Sequence, residues 1–116
     1  MLVISLEQAV AAPYAASRLA DAGARVIKVE RPEGDFARGY DADAKGHSSY
    51  FVWLNRGKES VALDLKQPDD LQIFKQMLSK ADVFIQNLMP GALDRLGVSM
   101  ADLRQAYPRL ITCDIS

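Results

Sequence analysis

The sequence has very little cysteine and histidine, with one residue of each, Cys113 and His47. A single cysteine excludes an internal disulfide framework and is typical of a reducing compartment. The two residues together argue against a Cys/His zinc site and against a Cys–His nucleophilic pair. We therefore expect no metal, and we expect His47, which lies in a polar segment, on an exposed loop.

The sequence also lacks long apolar runs and an excess of either charge. No apolar run approaches the roughly 18 residues that span a bilayer, and no basic region precedes an apolar one at the N-terminus, as in a secretory signal. Fourteen basic and fifteen acidic side chains give a net charge of -1, whereas nucleic-acid-binding proteins usually have a basic excess. We expect a cytoplasmic protein that binds neither membrane nor nucleic acid.

Three nucleotide-binding and catalytic motifs are missing. The turn after the first apolar run, residues 9–13, contains no glycine, so the dinucleotide fingerprint is absent. Glu30 stands where a ribose-binding acid would lie, but without that glycine turn NAD binding is not expected. The segment 57–60 has Val52 where a P-loop requires its first glycine. No Gly-x-Ser-x-Gly elbow occurs either.

Alternation of strands and helices is the pattern that is present. Apolar runs predict five strands, at 2–6, 25–30, 60–65, 82–85 and 110–115. Five helices are predicted between these strands. The first covers 14–22, with Pro13 at the first helical position, and the second follows a serine cap at 48. The third runs from Pro68 to Lys80, the fourth follows the Pro90-Gly91 turn, and the fifth follows Ser99. Apolar strands alternating with helices predict an α/β Rossmann-like parallel sheet with helices on both faces.

Two further stretches bear on the architecture. Tyr50, Phe51 and Trp53 are expected in the core or a subunit contact rather than as a stacking platform. The chain ends directly after an apolar strand, whereas a doubly wound domain usually continues. We therefore expect residues 1–116 to be an N-terminal half-domain of a longer chain.

Basic and amide residues follow the predicted strands. Arg31 follows the second strand, Lys66 the third and Asn87 the fourth, and Arg95 lies in the next helix. In a parallel sheet these positions converge at the carboxyl edge, where open α/β sheets bind ligands. Three cations and an amide there suit a ligand with several phosphates. For any one of these residues, the alternative is an ordinary solvated side chain.

The chain resembles the class III CoA-transferases, a group that includes formyl-CoA transferase and, more distantly, α-methylacyl-CoA racemase. The resemblance covers essentially the whole sequence and rests on motifs in fixed order, at 11–14, 19–32, 34–38, 55–66, 81–87, 90–97 and 108–111. It implies that coenzyme A binds at the carboxyl edge. The implied binding positions are Val10, Ala11, Arg31, Leu63, Asp64, Leu65, Lys66, Asn87, Leu88, Met89 and Arg95.

The resemblance also implies the substrates of the reaction, which are an acyl-CoA and a carboxylic acid. It further implies that the enzyme is an interlocked homodimer. An aspartate attacks the thioester, and CoA passes through enzyme-bound intermediates to the acid. That aspartate lies beyond residue 116 in relatives, and Asp114 lies inside a strand, so no catalytic residue is assigned. An acyl-CoA racemase or epimerase and a non-catalytic binding module remain alternatives.

The chain departs from the family pattern in two places. Val10 stands where some relatives have glutamine, with Gln8 two residues earlier. Leu88 and Met89 replace an aromatic residue and a glycine. Both changes argue against an oxalate/formate pairing and favour a larger or less polar acid.

Overall fold

A five-stranded parallel sheet forms the centre of the molecule. The computed structural model describes residues 1–115, and Ser116 lies outside the described residues. The strands are β1 (Leu2–Leu6), β2 (Arg25–Glu30), β3 (Lys58–Ala62), β4 (Val83–Gln86) and β5 (Ile111–Asp114). Their order across the sheet is β3-β2-β1-β4-β5. The predicted parallel α/β architecture is confirmed.

Helices connect these strands. They are α1 (Ala11–Asp21), α2 (Ser49–Asn55), α3 (Pro68–Lys80), α4 (Ala92–Arg95) and α5 (Met100–Ala106), with a 3₁₀ helix at Phe36–Gly39. Between Met1 and Ile115 none of them has the length and apolar character needed to cross a membrane.

Each face of the sheet has its own core. Successive side chains of a strand point to opposite faces, so Val3 packs toward Ala12 and Ala16 of α1. Its neighbour Ile4 packs into the larger cluster beside α3, which includes Phe74. The predicted covering of both faces is thereby confirmed. At the sheet edge, however, Ile111 of β5 is 65% exposed.

The strand order reverses at β1, which pairs with β2 on one side and with β4 on the other. Leu6, the last residue of β1, lies opposite Val29 in β2 and Gln86 in β4. Connections leave this point toward opposite faces, which opens a crevice beyond the carboxyl ends of the strands. The fold therefore places the ligand edge beside the loop that follows β1.

The predicted third strand, 60–65, is wrong in its second half. β3 begins at Lys58, directly after Gly57 turns the chain with a φ of +78°, and it ends at Ala62. Leu63 and Leu65 are buried, but in a loop that packs into the α3-side core. Their apolar character reflects that packing and not a continued strand.

Helix α1 begins at Ala11, three residues before the predicted start, and Pro13 is its third residue. The Val10 carbonyl accepts a hydrogen bond from the Tyr14 N–H at 2.8 Å. A proline in the first turn removes no helical hydrogen bond, because that N–H would have no partner there. The bounds of β4 and β5 also differ from the predicted ones by a residue.

The predicted core position is wrong for Tyr50 and Trp53, whereas Phe51 is half-buried and the alternative of a subunit contact stays a prediction. Tyr50 and Trp53 are 47% and 49% exposed, because the fully buried Leu54 anchors α2 instead. Their rings form a chain of contacts with Tyr14 and Tyr40, with centroid distances of 5.8–6.2 Å.

Three local predictions are confirmed. The hydroxyl of Ser48 caps α2 and that of Ser99 caps α5. His47 is exposed, as expected for a loop histidine.

Candidate ligand-binding site

A cavity of about 370 Å³ opens at the carboxyl ends of β1 and β2. This volume lies within the usual range of ligand pockets, about 300–1,000 Å³. The structure brings together six of the predicted binding residues on its wall, namely Arg31, Leu63, Asp64, Leu65, Lys66 and Leu88. It adds residues that the binding prediction did not include, among them Leu6, Glu7, Gln8, Val29, Asp35 and Leu96.

Arg31 is an oriented cation at the cavity wall. Its Nε donates to the Gly34 carbonyl at 2.9 Å, and its guanidinium carbon lies 3.9 Å from the centroid of the Phe36 ring. Stacking on an aromatic ring fixes the plane of a guanidinium. Within residues 1–115 the terminal nitrogens donate to no protein acceptor, so they suit an anionic ligand group.

Lys66 is placed by a compact turn after β3. The Asp64 carboxylate accepts from the backbone N–H of Lys66 at 3.1 Å. The backbone N–H of Asp64 donates to Asp70 in the first turn of α3 at 2.8 Å. The loop is therefore tied to α3, and it carries the exposed Lys66 at the cavity wall.

The structure does not bring the other five predicted residues to this wall. Val10 and Ala11 are exposed at the start of α1, and Arg95 is exposed at the end of α4. Met89 lines a second cavity, of about 500 Å³, between α4 and β5.

Asn87, the fifth of them, braces the loop after β1. Its Oδ1 accepts from the Gln8 N–H and its Nδ2 donates to the Gln8 carbonyl, both at 2.9 Å. The side-chain amide is therefore bonded to protein backbone.

Glu30 is enclosed by protein donors. Arg38 donates to both carboxylate oxygens, at 3.0 and 2.8 Å, and Ser60 donates at 2.8 Å. Burial raises the pKa of the Glu30 carboxyl, but these hydrogen bonds outweigh it, so the pKa lies below its ordinary value. Because its oxygens are already bonded, Glu30 is poorly suited to bind a ribose.

Beside the cavity lies a buried charge network of Glu7, Lys28, Asp35 and Lys58, whose side chains are at most 2% exposed. Sequence reasoning missed this network. A signal existed, because Lys28 interrupts the apolar run of β2 and Glu7 directly follows β1. Burial lowers the pKa of Lys58 below its ordinary value, although the Glu7 carboxylate opposes that shift.

Side chains that could ligate a metal do not cluster in groups of three or more anywhere between Met1 and Ile115. The cavity instead combines apolar walls with the cations Arg31 and Lys66 and with five acidic residues, Glu7, Glu30, Glu33, Asp35 and Asp64. Three of these acids are already paired with protein cations, Glu7 with Lys58, Glu30 with Arg38 and Asp35 with Lys28. A parallel sheet with such a cavity where its strand order reverses defines a Rossmann-like domain that is suited to a phosphorylated ligand.

The chain belongs to CoA-transferase family III, whose sequence profile matches residues 1–116. It is 45% identical over 112 residues to the acetyl-CoA:oxalate CoA-transferase of Acetobacter aceti, covering 96% of this chain and 29% of that protein. It is 37% identical over 116 residues to the human succinyl-CoA:glutarate CoA-transferase, covering 98% of this chain and 26% of that protein. The resemblance read from the sequence is confirmed.

A solved structure shows the same fold. A CAIB/BAIF family protein from Brucella suis superposes with a TM-score of 0.92 at 35% identity, over 100% of this chain and 32% of that one. The chain thus spans less than a third of the length of the relatives that it matches.

Proposed function

We propose that this chain is the CoA-binding part of a longer CoA-transferase that moves CoA from an acyl-CoA to a free carboxylic acid. The cavity at the carboxyl edge carries this proposal, because Arg31 and Lys66 line it together with apolar side chains. CoA has the matching chemistry, because its phosphates are attached to the ribose between two less polar parts, the adenine ring and the pantetheine arm. Membership of CoA-transferase family III supports the same ligand.

Within this proposal the predicted residues that line the cavity and those that lie outside it contact different parts of CoA. Arg31 and Lys66 contact phosphates, while Leu63, Leu65 and Leu88 flank the adenine or the pantetheine. The exposed positions Val10, Ala11, Met89 and Arg95 lie outside the first cavity and contact the parts of CoA that extend from it.

The reacting groups lie elsewhere in this proposal. Asp114 is the last residue of β5, where its carboxylate accepts from the Gln86 side chain at 2.5 Å. A nucleophilic aspartate outside residues 1–116 attacks the thioester and forms the enzyme-bound intermediates. The residues described here bind and orient the carrier, in a cytoplasmic enzyme of acyl-CoA metabolism that acts as a homodimer.

The acid acceptor is proposed to be a dicarboxylate larger than oxalate. The names of the relatives above contain oxalate in one case and glutarate in the other. Val10 replaces the glutamine of some relatives, and Leu88 and Met89 replace the aromatic residue and the glycine of formyl-CoA transferase. These departures favour the larger, less polar acid. Both names describe transfer, which favours a transferase over a racemase.

Ligand-linked stabilisation tests the binding proposal. Thermal unfolding of the 116-residue chain should shift to higher temperature with added CoA, because a ligand that binds only the folded state stabilises it. The variant R31A/K66A should lose most of this shift. The matched control K80A removes an exposed cation at the end of α3 and should keep it. No shift in the unaltered chain at about millimolar CoA, or an equal shift in all three proteins, would contradict the proposal.

A further inference from the structure

The buried charge network joins β2, β3 and α2 to the two loops that contain Glu7 and Asp35. Lys28 of β2 lies 2.6 Å from the Asp35 carboxylate, and Lys58 of β3 lies 2.5 Å from the Glu7 carboxylate. The side-chain carbonyl of Asn55 in α2 accepts from both lysines, at 3.0 Å each. In the described part of the chain every buried side-chain nitrogen and oxygen has a hydrogen-bond partner. The network is therefore complete, with two charges of each sign.

Such a network is an inefficient way to stabilise a fold. Burying charged side chains costs the free energy of removing them from water, and burying a well-packed cluster of apolar side chains carries no such cost. What the network does supply is orientation, since a carboxylate held by a buried ammonium presents its second oxygen in a fixed direction. For Asp35, the oxygen Oδ2 bonds Lys28 and the oxygen Oδ1 remains for other donors.

One of those donors is the backbone of the loop after β1. The Ala9 N–H donates to Asp35 Oδ1 at 2.9 Å. Ala9 has a φ of +61°, in the left-handed region that a residue with a Cβ rarely adopts. An external acceptor for its N–H offsets the cost of that conformation. The preceding residue, Gln8, is held from the opposite side by Asn87.

This loop forms part of the cavity wall. Glu7 and Gln8 line the cavity, and Val10 is the residue that precedes α1. A change at Ala9 would therefore redirect both the cavity wall and the start of α1. The 3₁₀ helix is linked to the same oxygen, because the Ala37 N–H also donates to Asp35 Oδ1, at 3.0 Å.

We propose that Asp35, held by the buried Lys28, is a positioning residue that keeps Ala9 in its left-handed conformation and so sets the shape of the CoA cavity. This proposal rests on the proposed function only in naming CoA as the ligand of the cavity. The hydrogen bond from Ala9 to Asp35 and its effect on the loop exist whether or not CoA is bound.

Amide hydrogen exchange, measured by NMR, tests the loop directly. In the unaltered chain the Ala9 amide should exchange at least about tenfold more slowly than an unprotected amide, since its N–H is bonded. D35A should remove that protection. The matched control D41A removes another aspartate of the same segment, one that accepts from Ser49, and should leave Ala9 protected. An unprotected Ala9 amide in the unaltered chain overturns the proposal without any variant.

A rescue experiment separates positioning of the loop from capping of the 3₁₀ helix. CoA affinity should fall about tenfold in D35A, as expected for a displaced cavity wall. Adding A9G should restore about fivefold of this loss, because glycine adopts a positive φ without the penalty of alanine. A role of Asp35 confined to the Ala37 N–H predicts no rescue, and that result overturns the proposal. If the unaltered chain binds no CoA, the proposed function fails while the exchange measurement still decides the role of Asp35.

Discussion

The side chain of Asn87 bonds both backbone groups of Gln8, with two hydrogen bonds of 2.9 Å. These bonds join the end of β4 to the end of β1, two strands that are neighbours in the sheet but far apart in sequence. The loop on which Gln8 lies is therefore held from β4 as well as from Asp35.

Replacing Asn87 by alanine should destabilise the fold by about 1–3 kcal/mol, because two partly buried backbone groups lose their partners. Urea unfolding of N87A gives this free energy directly. The control Q105A removes an exposed amide side chain from α5 and should change it by less than about 0.5 kcal/mol. Equal stabilities of N87A and the unaltered chain would show that the bridge contributes nothing.

Phe36 should matter for ligand affinity and little for stability. It is 52% exposed and stacks on the Arg31 guanidinium. F36A should weaken CoA binding about two- to fivefold, because losing an exposed cation–π contact costs about 0.5–1 kcal/mol. Titration calorimetry measures the affinity. Y40A removes an aromatic ring of similar exposure, which packs against Tyr50 and not against Arg31, and this variant should bind CoA normally. Equal losses in both variants would contradict this assignment.

Glu30 should make stability depend on pH in the acid range. Its pKa is lower in the folded than in the unfolded chain, so its contribution is present above about pH 4–5 and is lost as pH falls through the folded pKa. E30Q should be less stable than the unaltered chain by about 1–3 kcal/mol at neutral pH. This difference should shrink in acid.

Unfolding free energies between about pH 7 and pH 3 test this prediction. E33Q is the matched control, since Glu33 is an exposed glutamate of the same segment. If the unfolding free energies of E30Q and the unaltered chain differ by the same amount at every pH down to about pH 3, the role of Glu30 is refuted.

Glu7 and Lys58 should behave as a coupled pair. K58M leaves the buried Glu7 carboxylate with Lys28 at 3.5 Å as its remaining cation, and should cost about 3–5 kcal/mol. The double variant E7Q/K58M should cost clearly less than the two single changes together, because the unpaired charge is removed. Urea unfolding of the four proteins completes the cycle, and strict additivity would show that the pair is not coupled.

β1, β2 and β4 were predictable because their apolar residues fill both cores. That signal failed at Leu63 and Leu65, since burial in a loop and burial in a strand require the same residues. At the site, Arg31 and Lys66 were predicted to lie at the carboxyl edge of the sheet because each follows a strand, and both line the cavity there. The position after a strand did not predict what each side chain contacts. Asn87, for example, bonds the backbone of Gln8 and does not line the cavity.

The buried network was beyond sequence reasoning for a different reason. Lys58 and Glu7 lie 51 positions apart and meet only when β1, β2 and β3 lie side by side in the sheet. No local pattern specifies such a pairing. The positive φ of Ala9 is equally hidden, because alanine is not a residue that marks such a conformation.

The place of β1 in the sheet sets the order in which the chain can fold during synthesis. β1 leaves the ribosome before β4, so one of its two edges stays unpaired until β4 follows about 80 residues later. At roughly 5–20 residues per second that interval lasts about 4–16 s. Throughout it the fully buried side chains Val3 and Ile4 lack part of their final surroundings. The nascent chain is therefore most exposed to chaperones and to mispairing before Val83 emerges.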